Sequence, residues 1–141
     1  MNDWQRSFLG KLESAKKNWQ HRFENLANEF LEPVFERYAE FTRGHGFSVS
    51  APDCEPGTRL YKFGLTENGY VLLTFRMRGL DGVGFTAEYL VSGPERVEST
   101  QAETQVADAQ DAWFQKLFER SLDRFVVAFG EASEELEACP A

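Results

Sequence analysis

The sequence predicts an α+β domain in which a long N-terminal helical segment, kinked or broken once, and a C-terminal helix pack on one face of a three- to four-stranded antiparallel meander. Three observations predict it. Large apolar residues recur every three or four positions at both ends of the chain, they alternate with a period of two in the middle, and glycine-bearing turns separate the middle runs too closely for crossover helices. On this division the 141 residues form one domain, helical over 3–43, stranded over about 47–92 and helical again over about 108–137.

The first stripe reads Trp4, Phe8, Leu12, Ala15, Trp19, Phe23, Leu26, Phe30, Val34, Tyr38 and Phe41. Its steps repeat every eleven residues, which keeps all of these side chains on one side of a nearly straight rod. Pro33 interrupts the pattern, because a proline inside a helix removes one backbone hydrogen bond and clashes with the preceding turn. A kink or break near Leu31-Glu32 follows, with Pro33 opening a second helix that runs to Arg43 and stops at Gly44-His45-Gly46. Unbroken, residues 3–43 would extend about 60 Å, while a compact chain of this size is about 37 Å across. Either the segment folds back at Pro33, or its Trp4, Phe8 and Leu12 end projects and buries its aromatics against another chain.

Between 47 and 92 three strands can be placed in register. Their inward residues are Tyr61, Phe63 and Leu65, then Val71, Leu73, Phe75 and Met77, then Val83, Phe85, Ala87, Tyr89 and Val91. A one-residue slip would turn a whole set outward. A three-residue loop, Glu67-Asn68-Gly69 with Gly69 left-handed, pairs Leu65 with Val71, Phe63 with Leu73 and Tyr61 with Phe75. The Gly79-Leu80-Asp81 turn pairs Phe75 with Phe85 and Leu73 with Ala87 by the same rule. Phe47–Ala51 reads as a further edge strand, and the polar stretch from Glu95 to Gln105 as loop or a short edge strand. In the last helix Asp108 is the expected N-cap, and Phe114, Phe118, Ser121, Phe125, Phe129, Ala132 and Leu136 form the apolar stripe, with Gly130 a possible early end.

Composition narrows the function classes. With 42% hydrophobic residues, 13 Phe, 4 Tyr and 3 Trp, the chain is too apolar for disorder, yet it has no 18-residue apolar run to span a membrane. The formal charge of −8 argues against nucleic acid as a partner. That charge is divided: residues 1–23 carry Arg6, Lys11, Lys16, Lys17 and Arg22 against Asp3 and Glu13, whereas residues 95–141 are strongly acidic. Such opposite ends attract each other. The N-terminus lacks the apolar core of a signal peptide, and two cysteines, Cys54 and Cys139, are too few for a disulfide framework, so the cytoplasm is the expected compartment.

No motif fixes a biochemical activity. Cys54 lies between Asp53 and Glu55, whose charges disfavour its thiolate, so a nucleophilic Cys54–His45 pair requires the fold to bring His45 to it. No histidine stands at metal-ligand spacing, and Gly79, Gly82 and Gly84 surround a turn instead of opening a helix as in a phosphate loop. Neither a metal nor a cofactor is expected, and no catalytic residue is assigned.

The surfaces are more informative. In the predicted register the outer sheet face gathers Tyr70, Leu72 and Leu90 at one corner, leaves gaps at Gly64 and Gly84, and places Arg76 at the far end. Together with Trp4, Phe8 and Leu12 on the first helix, these residues form the candidate interaction surface. The expected function is a non-catalytic interaction or regulatory module that self-associates, as a dimer, through its long helix, its outer sheet face or both. The alternative is a small-molecule binder or minor enzyme, its pocket between sheet and helices lined by Tyr61, Phe75, Phe85 and Tyr89.

Overall fold

The computed structural model describes residues 2–91 and 97–138, without the side chains of Val97 and residues 136–138. Helix α1 (Asp3–Leu26) passes through a π-helical turn (Ala27–Leu31) into α2 (Glu32–Arg43); five strands follow, β1 (Ser48–Ser50), β2 (Thr58–Thr66), β3 (Gly69–Arg78), β4 (Gly82–Leu90) and β5 (Val97–Gln105). A 3-10 turn (Val106–Asp108) then leads into α3 (Asp111–Ala138). The strands form one antiparallel meander in chain order. The fold is α+β, with five strands in place of the three or four expected.

The fifth strand escaped the sequence pattern for a physical reason. Its core-side residues, paired with Tyr89, Ala87, Phe85 and Val83, are Glu98, Thr100, Ala102 and Thr104. At the sheet margin small and polar side chains suffice there, so no apolar alternation marks the strand. Thr100 shares a hydroxyl contact of 3.3 Å with Tyr89, and Arg124 of α3 reaches over the edge to Glu98.

Pro33 neither breaks the first helix nor folds it back. The Glu32 N–H bonds the Ala27 carbonyl, five residues earlier, and the backbone at Ala27 and Glu32 stays right-handed helical. Widening one turn accommodates the proline without ending the rod. The extra residue also rotates everything after it. The buried seam runs Phe23, Leu26 and Ala27, then Leu31, Val34, Phe35, Ala39 and Thr42; Phe30 and Tyr38 pack half-buried at its margin, and Phe41 leaves it. Phe41, expected to face inward, is 66% exposed. The helix ends as predicted at Gly44-His45-Gly46, where Gly46 takes φ 91° and the Phe47 N–H bonds the Thr42 carbonyl at 3.1 Å.

The β3–β4 register is the predicted one, with Phe75 opposite Phe85 and Leu73 opposite Ala87. The β2–β3 register is two residues from the prediction: Tyr61 pairs with Leu73 and Phe63 with Val71, and the strand is irregular at Leu65, between the paired Gly64 and Thr66. This bulge absorbs the odd residue, so the inward set is preserved with a two-residue turn. Gly69 is not left-handed; a Cβ there would stand 2.5 Å from the Phe129 ring, so it is the packing of α3 that demands glycine. Gly130 does not end α3, which runs through it, and Asp108 lies in the 3-10 turn ahead of the helix.

Phe118 of α3 is the centre of the core. Its ring meets Tyr38 at 5.6 Å, Phe75 at 5.7 Å, and Tyr61 and Phe63 each at 6.0 Å, tying both helices to β2 and β3.

Candidate interaction surfaces

Among the described residues, four places are candidates for a functional surface: the free end of α1, the outer sheet face, a polar cleft under α1, and a groove between α2 and α3.

The seated part of the first helix begins at Trp19. The Trp19 indole N–H donates to the Gly79 carbonyl, and Arg22 pairs with Asp81 at 3.2 Å, so the rod crosses the sheet margin at the β3–β4 turn. Upstream of it every residue from Asn2 to Asn18 is exposed except the half-buried Leu12. This arm is α-helical throughout and is closed by a capping box between Asn2 and Gln5. Trp4 is 68% exposed and Phe8 46%, and the two rings stack on each other at 5.2 Å. Of the two sequence alternatives, the segment does not fold back: its Trp4 and Phe8 end projects, with Leu12 half-buried.

The outer sheet face is more closed than its sequence suggests. Tyr70 and Leu90 are paired, with Leu72 on the next row, so the predicted corner exists, but all three are half-buried. The shifted β2 register puts Lys62, not Gly64, beside Leu72, and its ammonium stands over the Tyr70 ring at 4.3 Å from the centroid. The glycine gaps are filled from within the sheet. Arg78 lies across Gly84 and pairs with Glu103 at 3.2 Å, while the Cβ of Tyr70 crowds Gly64. Arg76 is exposed, in the row with Thr58 and Gly84, at the margin of a hollow it shares with Leu60, Thr74 and Pro56.

The polar cleft, about 510 Å³, lies between α1 and the segment joining β1 to β2. Arg59 of β2 reaches Glu24 ahead of the π-turn, Asn28 within it and Glu32, at 2.7 Å, after it; the Tyr61 hydroxyl also donates to Glu32 at 2.7 Å. Burial first, and then the bond and charge of Glu32, hold the Tyr61 phenol far above the usual tyrosine range. Arg59 is itself raised: burial opposes its charge, but Glu24 and Glu32 outweigh that. A guanidinium committed to two carboxylates clamps the helix and is not free for an anionic ligand. Cys54 lies in the same cleft, its thiol donating to the Thr58 carbonyl, whereas His45 packs at 4.8 Å from Phe41 at the end of α2. The conditional Cys54–His45 pair therefore does not form. Cys139 lies outside the described residues. Among the described residues no group of three or more His, Cys, Asp or Glu is placed to hold a metal ion.

Between sheet and helices, the residues expected to line a small-molecule pocket are packed in the core. Tyr61, Phe75, Phe85 and Tyr89 are at most 4% exposed, with Phe75 packed on Phe85 at 4.9 Å and on Phe114 at 5.5 Å.

The groove between α2 and α3 was missed by sequence reasoning. It is open, about 840 Å³, and lined by Tyr38, Phe41, Phe47, Leu122, Val126 and Val127, with Glu119 and Asp123 on its wall. Val126 and Val127 are 49% and 61% exposed. Burial first, then the charge of Glu119, raises the Tyr38 phenol. Two sequence signals point to it: Leu122, Val126 and Val127 are apolar but off the α3 stripe, and the π-turn that accommodates Pro33 brings Phe41 out of the seam. No helix of the described residues is long and apolar enough to cross a membrane. No family model, curated protein or solved structure matches the chain.

Proposed function

We propose that this protein is a non-catalytic interaction module that self-associates through the projecting arm of α1. The observation that supports the reading is the arm itself. A helical extension of about 24 Å, capped at its start and carrying Trp4, Phe8 and Leu9 in solvent, has no fully buried residue, and Leu12 alone is half-buried. Isolated helices of that length are marginal in water, so exposed aromatics on one are accounted for by a second surface that covers them. The outer sheet face is the weaker candidate, because its glycine gaps are occupied by Arg78 and Tyr70. Sedimentation velocity from about 1 to 100 μM tests the reading. Association to twice the 16.1 kDa chain mass is expected, and a monomer at every concentration overturns it.

A further inference from the structure

We infer that the arm of one copy docks in the α2–α3 groove of a second copy, reciprocally, so that two arm-and-groove contacts close a twofold dimer. This inference rests on self-association through the arm and goes further by naming the surface that receives it.

The arm cannot fill its own groove. Phe8 and Phe41 belong to one continuous helix and stand about 50 Å apart along its axis. Any aromatic arm in that groove therefore comes from another molecule.

Shape and charge fit the two surfaces to each other. Trp4, Phe8 and Leu12 repeat at four-residue steps over about 12 Å of helix, and the groove wall from Glu119 to Val127 spans the same eight-residue rise. Both are apolar along the middle: aromatic rings on the arm, and Phe41, Val126 and Val127 in the groove. The arm carries Arg6, Lys11, Lys16 and Lys17 against Asp3 and Glu13, whereas the charged side chains lining the groove are Glu119 and Asp123. Two arms laid on each other would instead bring like net charges together.

Area decides between reciprocal and one-way docking. The inner half of a helix about 10 Å across covers about 190 Å² over the roughly 12 Å that match the groove, which alone is in the range of casual contacts. Reciprocal docking engages one arm and one groove of each copy, about 380 Å² per partner, and so doubles the area that one-way docking would bury. A twofold arrangement also uses the same pair of surfaces on both chains and leaves neither groove nor arm open for further growth.

Four full-length proteins test this: the wild type, an arm variant (Trp4→Gln with Phe8→Gln), a groove variant (Phe41→Gln with Val127→Gln) and a control at another exposed apolar site, Leu80→Gln. All substituted side chains are largely exposed, and circular dichroism melts verify that each variant is folded. Sedimentation velocity is expected to show dimers for the wild type and the control, and monomers for both double variants, with the dissociation constant raised at least about 100-fold. Raising salt from about 0.05 to 0.5 M should weaken the wild-type dimer several-fold, as an arm and groove of opposite charge require. If the arm variant is monomeric but the groove variant still dimerises, the arm binds elsewhere, and this inference fails while self-association through the arm stands. If both variants dimerise, the arm and groove are both excluded. A monomeric wild type overturns the self-association reading and this one with it.

Discussion

Residues 3–18 and residues 23–42 are parts of one helix with one apolar period, yet the first is exposed almost throughout and the second supplies much of the core. Phe8 is 46% exposed and stacks only on Trp4 among the ring contacts; Phe23, four turns on, is 1% exposed. Periodicity records which face of a helix is apolar, not what that face meets. The difference is made by the sheet margin, which the rod crosses at Trp19 and Arg22. Beyond the β3–β4 turn there is no sheet beneath it.

The largest expected effect sets the two halves directly against each other. Phe23→Ala should cost about 3–5 kcal/mol in urea or thermal unfolding, because it empties a fully buried site. Phe8→Ala, measured below the concentration at which the protein associates, should cost less than about 0.5 kcal/mol. Equal losses would mean that the arm packs on its own domain and that the comparison is false.

Much of this architecture was legible in the sequence, and the parts that were not share a cause. The inward sets of β2, β3 and β4 were readable because side-chain alternation constrains the facing of every residue at once, and the β3–β4 register followed from the Gly79-Leu80-Asp81 turn. The β2 register was misread by two residues because a bulge at Leu65 keeps the same facing with a shorter turn. Facing alone cannot distinguish those two solutions. β5 was unassigned because Thr100, Ala102 and Thr104 face a thinly covered margin and need not be large. At Pro33 the sequence announced a disturbance but not its form, and a π-turn, unlike a break, leaves a continuous rod while rotating the seam. That rotation exposes Phe41 and opens the groove, so the candidate site was hidden by the same residue that signalled it. Trp4 and Phe8 were found because they exceeded what one core could use.

The next expected effect concerns what locks the seated half in place. Arg59 joins Glu24 before the π-turn, Asn28 within it and Glu32 after it. Arg59→Met retains the aliphatic stem but leaves two carboxylates facing each other. A loss of about 1–2 kcal/mol is expected, kept modest because Arg59 and both its partners remain partly exposed. No measurable loss would mean that the seam alone holds α1 and α2 to the sheet.

Tyr61 gives the same clamp a pH signature. Its phenol is held above its unfolded value of 10.0 by burial and by Glu32. A raised pKa contributes stability that is complete below the unfolded value and declines as pH rises beyond it, because only the unfolded chain then releases the proton. Between pH 10 and 11 the wild type should therefore lose about 1 kcal/mol more than Tyr61→Phe does over the same interval, whatever their difference at neutral pH. Parallel decline of the two proteins would contradict the buried hydrogen bond to Glu32.

The smallest effect in free energy sharpens the comparison most. In the monomer, amides of residues 6–18 should exchange through local fraying, at protection well below that of residues 23–42, which open only with the core. A lone helical arm of this length is close to marginal in water despite its capping box. When the protein is concentrated, association stabilises both halves, because any opening that uncovers the interface loses it. The arm passes from fraying to a covered helix, so its protection should climb from that of a nearly free helix, whereas residues 23–42 start from the protection of a packed seam. Low protection of the arm in the monomer, rising with concentration, would show one helix divided into a half that makes the fold and a half that meets a partner. Uniform protection along the rod at low concentration would erase that division.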